Sequence, residues 1–200
     1  PRGLRAEVGR SKTSRGLISP YFVPGPKGTQ LLTGLDHDGR KVSVLTNSLA
    51  ANDVAAVYGG YSKYRKQLLR GGVELWELKP QGERATPDSL FGSSGASLHT
   101  KAAIFDEDTV LVGSFNLDPR SVSLNCEQGV FASDPVLAAD LGQRFEHMTA
   151  GARAWQVTLD QAGNLRWTDG ERSLDKEPDA SLKRRTTARV IRWLPVQSQL

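Results

Sequence analysis

The most informative part of the chain is residues 97–116, which read SLHTKAAIFDEDTVLVGSFN. Two apolar runs flank a short acidic segment in this stretch. The pattern predicts a hairpin of two strands, residues 98–105 and 110–114, joined by a tight turn. Polar residues stand at the open end of this hairpin, where the first strand begins and the second strand ends.

Four of these polar residues could act together on one substrate. Side chains alternate between the two faces of a strand, so His99 and Lys101 point to one face, and Ser114 and Asn116 repeat that relation. An imidazole can attack phosphorus, or protonate a leaving alkoxide, without a metal. Lys101 supplies positive charge, and Ser114 and Asn116 supply hydrogen-bond donors, where a transition state gathers negative charge. The set predicts a site for a phosphate ester.

The acidic turn has a simpler interpretation. Asp106 begins the connection between the two predicted strands, so we expect it to orient the backbone or a neighbouring side chain rather than to transfer a proton. With Glu107 and Asp108 it could in principle bind a divalent cation, but a tight charged turn explains the three residues better. No metal and no cofactor is predicted.

The whole pattern resembles the phospholipase D superfamily, whose signature is His-x-Lys-x4-Asp followed by Gly-Ser-x-Asn. Every element of the signature is present at His99, Lys101, Asp106, Gly113, Ser114 and Asn116. The stretches ISPYFVPG (18–25), LTNSLAAND (45–53) and NLDPRS (116–121) narrow the resemblance to the C-terminal half of bacterial cardiolipin synthases, nearest the C type. The resemblance runs from about residue 17 to the C-terminus.

The resemblance implies an α/β fold of the phospholipase D type, with a mixed central sheet flanked by helices on both faces. It also implies a phosphatidyltransferase that works through a phosphohistidine intermediate. Such enzymes build one site from two motifs, and this chain carries one, because His37 and His147 do not begin a second motif. The upstream histidine is the usual nucleophile of the family, which makes His99 the general acid.

Glu127 stands where the family places an acid partner of the histidine. An acid bonded to the imidazole fixes its tautomer and raises its pKa, which helps a general acid to stay protonated. A lone acid on a strand would instead face solvent. We expect the catalytic residues to be His99, Lys101, Asp106 and Glu127.

Substrate contacts are expected beyond the motif. Ser114 and Asn116 would hold the phosphate, and the resemblance makes Tyr21 and Phe22 candidates for the wall of a substrate channel. Aromatic residues at the end of a buried strand are more often core residues. Asn47 and Ser48, at the end of another predicted strand, could bond a head group or cap the following turn.

Composition is that of an ordinary globular domain, with 38% hydrophobic residues in 200 and one cysteine, which excludes an internal disulfide. The chain begins at Pro1 without an initiator Met, and we expect it to be a segment of a longer protein. We divide it into a basic N-terminal lead-in (1–15), a catalytic half-domain with one motif (16–170) and a basic tail or interfacial helix (171–200).

The formal net charge of +4 suits an anionic partner. Charge alone does not separate an anionic phospholipid such as phosphatidylglycerol from nucleic acid, and a solvated basic surface without a partner also fits. The resemblance favours phospholipid, a peripheral place on the cytoplasmic face of the bacterial inner membrane, and either the missing half or a second copy as partner. Nucleic acid is the less favoured ligand.

Two other functions remain open. A phosphodiesterase of the same superfamily would pass the phosphatidyl group to water, or would cleave nucleic acid as a homodimer, with the same chemistry at His99. A non-catalytic lipid-binding or assembly module is the second alternative, since this chain holds half of a two-motif site.

Overall fold

A computed structural model describes residues 14–52, 54–80, 98–118 and 128–193. The strands are β1 (Ser14–Ile18), β2 (Ser43–Asn47), β3 (Glu74–Leu78), β4 (Ala102–Phe105), β5 (Thr109–Gly113), β6 (Gly129–Ser133), β7 (Ala154–Leu159), β8 (Leu165–Thr168) and β9 (Ser173–Leu174). The helices are α1 (Gly25–His37), α2 (Ala55–Ser62), α3 (Arg65–Arg70), α4 (Pro135–Thr149) and α5 (Leu182–Trp193).

One mixed sheet contains all the described strands, in the order β6-β5-β4-β1-β2-β3-β7-β8-β9. The three central strands β1, β2 and β3 are parallel, and each outer strand is antiparallel to its neighbour. The carboxyl ends of β1, β2 and β3 therefore lie at the same edge of the sheet as the start of β4 and the end of β5. This edge brings the motif of the hairpin next to the ends of the central strands.

Both faces of the sheet are covered, which confirms the predicted fold class. The larger core lies on the face that carries α1, α2, α3 and α5, through residues such as Leu32, Tyr58 and Leu68. Helix α4 covers the other face and buries Phe145 against β1 and β4. Gly16 of β1 sits under that ring, since a Cβ there would lie 2.9 Å from the ring of Phe145.

The sequence pattern predicts one helix from residue 54 to residue 69, and the structure divides it into α2 and α3. The hydroxyl of Ser62 donates to the Gly59 carbonyl at 2.8 Å, and the Tyr64 amide bonds the Tyr61 carbonyl three residues back. Side-chain and short-range bonds of this kind compete with the regular helical ladder. The break lets Tyr58 and Arg65 approach the same buried carboxylate.

That carboxylate belongs to Glu77 of β3, which is fully buried. It accepts hydrogen bonds from the Tyr58 hydroxyl at 3.1 Å, from the Arg65 guanidinium at 3.2 Å and from the Trp167 indole at 2.9 Å. Burial raises the pKa of Glu77 above its ordinary value, whereas Arg65 and the Trp167 N–H act in the opposite direction. The cluster ties α2 and α3 to β3 and β8.

Candidate active site

The hairpin of β4 and β5 ends at the site. Ala102 pairs with Val112, and the Gly113 amide donates to the Lys101 carbonyl at 3.1 Å, so the pairing extends past the start of β4. His99 is exposed at this end, and the Lys101 ammonium donates to the His99 carbonyl at 2.8 Å. The half-buried lysine is thereby held beside the histidine that the sequence singles out.

Ser114 and Asn116 follow β5 at the same end. The Gln128 amide donates to the Ser114 hydroxyl oxygen at 3.1 Å, while the hydroxyl's contact with the Gln128 carbonyl is longer, at 3.4 Å. The longer of these two contacts is the weaker one, and the hydroxyl proton can turn from it toward a phosphate oxygen. The amide oxygen of Asn116 is buried and has no hydrogen-bond partner among the described residues. An unpaired amide oxygen accepts from a ligand N–H or O–H, so a bond from Asn116 to a phosphate oxygen would come from its amide N–H groups.

Asn47, the last residue of β2, fixes the backbone beside the histidine. Its amide oxygen accepts from the Leu98 N–H at 2.8 Å, and its amide nitrogen donates to the Leu98 carbonyl at 3.3 Å. The side chain is 1% exposed. Both backbone groups of the residue before His99 are thus satisfied by one side chain. This geometry favours a positioning role for Asn47 over the head-group contact expected from sequence.

We predict that Asn47→Leu exposes the Leu98 amide to hydrogen exchange. The substitution keeps the side-chain volume but leaves a buried N–H and C=O unpaired, which costs about 1–3 kcal/mol of unfolding free energy. The Leu98 amide should exchange about tenfold faster or more, because the lost bond lowers its local opening energy by roughly 1.4 kcal/mol. Exchange followed by nuclear magnetic resonance measures this directly.

The matched control for that experiment is Asn52→Leu. Asn52 is also buried, at 2% exposure, and its amide oxygen accepts from the Val54 N–H at 2.9 Å. Its loss should speed exchange at Val54 and leave Leu98 unchanged. Equal exchange at Leu98 in Asn47→Leu and in the wild type contradicts the positioning role.

Ser19 is a second positioning residue, and the sequence pattern does not single it out. Its hydroxyl donates to the Tyr21 carbonyl at 2.8 Å and accepts from the Leu117 amide at 3.0 Å. The Val23 amide also donates to the Leu117 carbonyl at 2.7 Å. These bonds join the end of β1 to the residue after Asn116. A small polar residue directly after a buried strand was the available signal.

The structure does not bring every candidate to His99. Asp106 lies in the turn at the far end of β4, where its φ of 54° is left-handed, a conformation that Asp tolerates better than most residues. Asp106 lies five positions after Lys101 along extended chain, a distance of about 17 Å. Asp106 therefore shapes the hairpin, as the turn interpretation expects, and does not touch the reacting groups from this position.

The remaining candidates have different surroundings. Phe22 is 1% exposed and packs on Tyr61 with ring centroids 5.7 Å apart, so it is a core residue and not a channel wall. The Ser48 hydroxyl accepts from the Ala51 amide at 3.2 Å and caps the turn after β2. Tyr21 is half-buried beside the site. Glu127 lies outside the described residues, and its pairing with His99 stays a prediction.

Similarity to known proteins agrees with this geometry. Residues 4–149 match the family described as "Cardiolipin synthase, PLD-like domain". The chain belongs to this family. The matched range includes the motif, both positioning residues and α4. The resemblance to the phospholipase D superfamily, inferred above from the motif, is thereby confirmed.

Two curated relatives of the chain are cardiolipin synthases. The chain is 43% identical to cardiolipin synthase C of Escherichia coli. The aligned region covers 98% of this chain and 43% of the length of that protein. The chain is 30% identical to cardiolipin synthase A of Proteus mirabilis over 72% of its own length and 26% of that protein. The chain therefore spans less than half the length of these relatives.

Solved structures support the fold. The phospholipase D family member Nuc of Salmonella typhimurium superposes with a TM-score of 0.59 at 19% identity, covering 78% of this chain and 90% of that one. Phosphatidylserine synthase of Haemophilus influenzae gives a TM-score of 0.55 at 17% identity, covering 73% of this chain and 35% of that one. These likenesses concern the fold alone.

The assembled residues suit phosphate chemistry at an open edge. His99 can exchange a proton with an oxygen, Lys101 can offset charge on a phosphate, and Ser114 and Asn116 can bond its oxygens. Among the helices that the structure describes, none combines the length and apolar character needed to cross a bilayer. The site lies at one end of the sheet, where a second protein surface can approach it.

Proposed function

We propose that this chain supplies one half of the active site of a cardiolipin synthase-type phosphatidyltransferase. The observation that carries the proposal is the placement of exposed His99 beside Lys101, with Ser114 and Asn116 on the adjoining segment. The identity of 43% with cardiolipin synthase C along nearly the whole chain supports the same reaction. The substrate is an anionic phospholipid such as phosphatidylglycerol, met at the cytoplasmic face of the inner membrane.

The reaction proceeds in two displacements. A histidine of the second motif attacks phosphorus, the bond from phosphorus to the head-group oxygen breaks, and His99 donates its proton to that oxygen as the alcohol leaves. His99, now neutral, then takes the proton of the acceptor hydroxyl as that oxygen attacks phosphorus and the phosphorus–nitrogen bond breaks. Lys101, Ser114 and Asn116 hold the phosphate oxygens in both steps.

The second motif is expected from another half of the protein or from a second copy of this chain. Strand β6 forms the outer edge of the sheet next to the hairpin, since among the described strands it pairs with β5 alone. This outer edge is a place where a partner can bind. Val130 and Phe131 of β6 are 70% and 40% exposed, and Gln128, just before this strand, holds Ser114. A strand edge that no described strand pairs with, and that exposes apolar side chains, is suited to docking a partner.

Mass spectrometry of lipid products tests the function. Phosphatidylglycerol is incubated with the chain alone and with the upstream half of the parent protein. We expect cardiolipin when both halves are present, and also from the chain alone if two copies of it complete the site. Phosphatidic acid without cardiolipin would replace the transferase by a hydrolase, and no lipid product would leave a non-catalytic module.

A further inference from the structure

A cavity of about 400 Å³ lies on the opposite side of the molecule from the motif, between α2, α3, β8 and α5. Its volume falls within the range of ordinary ligand pockets. Its walls include Tyr58 of α2, Arg65 of α3, Trp167 of β8 and Arg189 of α5. Nothing in the proposed transfer reaction uses this cavity.

The cavity is distant from His99. Four strands, β1, β2, β3 and β7, lie between β4 and β8, so the two are five strand spacings, about 24 Å, apart. The cavity also reaches Asn164 and Leu165, at the start of β8. Strand β7 begins at Ala154, which pairs with Leu78 at the carboxyl end of β3. Leu165 pairs with Leu159, at the opposite end of β7. The cavity therefore lies toward the other edge of the sheet.

The lining is strongly cationic. Among the residues that the structure describes, seven lysine or arginine side chains and two carboxylates, Asp175 and Glu177, line the cavity. Three of the cations have protein partners, since Arg65 pairs with Glu177 at 3.0 Å, Lys66 donates to the Gly163 carbonyl, and Arg185 donates to the Glu177 carbonyl. The other four cations outnumber the two carboxylates in the wall.

Those four are Arg166, Lys176, Arg189 and Arg192. Arg166 has a 3.5 Å contact with Asp160 at a side chain 42% exposed, which is a weak pair. Lys176, Arg189 and Arg192 form no hydrogen bond or ion pair with any described residue. Asp175 and Glu177 offset part of this charge, and Arg189 acts on Glu177 electrostatically without forming an ion pair. The excess positive charges repel one another, and a concave wall concentrates their field. Such an arrangement is stabilised by a bound anion.

The docking of α5 holds these charges together. Ala188 of α5 is buried, and a Cβ on Gly59 of α2 would lie 3.0 Å from the Ala188 carbonyl, so the two helices are in close contact. Arg184 donates to the carbonyls of Ala50 and Asn52 at 2.7 and 2.9 Å. Helix α5 is therefore fixed to the body of the domain through its small and polar contacts, which keeps its arginines at the cavity.

The spacing of these arginines completes the arrangement. Arg185, Arg189 and Arg192 recur at intervals of four and three residues, which places them on one face of the helix. All three line the cavity. Arginine is the residue best suited to bond two oxygens of a phosphate at once. The face is thus matched to a ligand that carries several anionic oxygens.

We propose that this cavity is a second ligand site, which binds a phosphate-bearing anion independently of the chemistry at His99. The phosphate group enters between Lys176 and the arginines of α5, and its oxygens take the donors that the protein leaves unused. The same chemistry fits the phosphate of a lipid head group and that of a soluble phosphate ester. The cavity holds either, and the experiment separates them.

Titration of the full chain with inorganic phosphate, at constant ionic strength kept with chloride, tests the site by nuclear magnetic resonance. We expect saturable shifts of the Trp167 indole N–H and of the amides of Asn164 and Lys176. A double variant, Lys176→Gln with Arg189→Gln, should weaken binding about tenfold or more, because two charge-assisted contacts are lost. Both side chains are exposed, so the fold should be retained.

The control variant, Lys41→Gln with Arg144→Gln, removes the same charge from exposed positions outside the cavity and should bind phosphate like the wild type. Absence of shifts around the cavity in the wild type, or equal weakening in both double variants, would overturn the site.

Vesicle binding identifies the source of the phosphate. Vesicles of phosphatidylglycerol and of phosphatidylcholine are compared by flotation with the same variants. If the cavity variant, unlike the control, also loses binding to phosphatidylglycerol vesicles, the ligand is a lipid head group. If its vesicle binding is retained while phosphate binding is lost, the ligand is a soluble phosphate compound. Because the readout is binding, it does not depend on whether the chain transfers lipid.

Discussion

His99→Ala should reduce phosphatidyl transfer by about 10³-fold or more in a preparation with a complete site, since a positioned general acid and base contributes roughly 10²–10⁴-fold to each proton transfer. The unfolding free energy should change by less than about 0.5 kcal/mol, because the side chain is exposed. Cardiolipin formation from phosphatidylglycerol, followed by mass spectrometry, measures the loss. The matched control is His147→Ala, at an exposed position of α4.

The leaving group distinguishes the two roles open to His99. A phosphatidyl substrate with a nitrophenol leaving group needs no proton in the first displacement, so His99→Ala should release one nitrophenol per site in an initial burst as fast as in the wild type. Later turnovers should stay slow, because the second displacement still needs His99 as a base. A histidine that attacks phosphorus itself cannot be bypassed in this way. Equal loss with both substrates would make His99 the nucleophile, and substantial cardiolipin formation by His99→Ala would remove it from the chemistry.

Glu77→Gln should lower the unfolding free energy by about 3–5 kcal/mol, the cost of removing one partner of a buried ion pair. The Arg65 and Glu77 side chains are 2% and 0% exposed, and Arg65 would retain Glu177 as its charged partner. The Arg65 and Trp167 N–H groups now donate to the two oxygens of the carboxylate. Glutamine replaces one of these oxygens by an NH₂ group, which is itself a donor. Urea unfolding of the full chain, followed by circular dichroism, measures the effect.

The control is Glu74→Gln on the same strand. Glu74 is exposed and accepts one bond, from the Ser43 hydroxyl, so its loss should cost no more than about 1 kcal/mol. A cost for Glu77→Gln as small as that for Glu74→Gln would show that the pair contributes little.

Local patterns were sufficient to predict most elements of the fold. Apolar runs and turn residues predict the hairpin of β4 and β5, and they predict strands at residues 41–46 and 73–78, where the structure has β2 and β3. Helical periodicity predicts a helix over residues 135–148, where the structure has α4. The pattern predicts one helix where the structure has α2 and α3, because the hydroxyl of Ser62 and the turn at Tyr64 override a continuous apolar pattern. Such competition depends on bonds that periodicity does not record.

The chemistry of the motif can be predicted from the amino-acid sequence, since His99, Lys101, Ser114 and Asn116 lie within 18 residues and a single hairpin brings them together. The residues that hold the motif in place, and the cluster around Glu77, depend on contacts between distant parts of the chain. Asn47 reaches Leu98 across 51 positions of the chain, and Arg65 reaches Glu177 across 112. The pairing order of nine strands creates these contacts, and the burial of each polar group requires a partner that the local sequence does not contain.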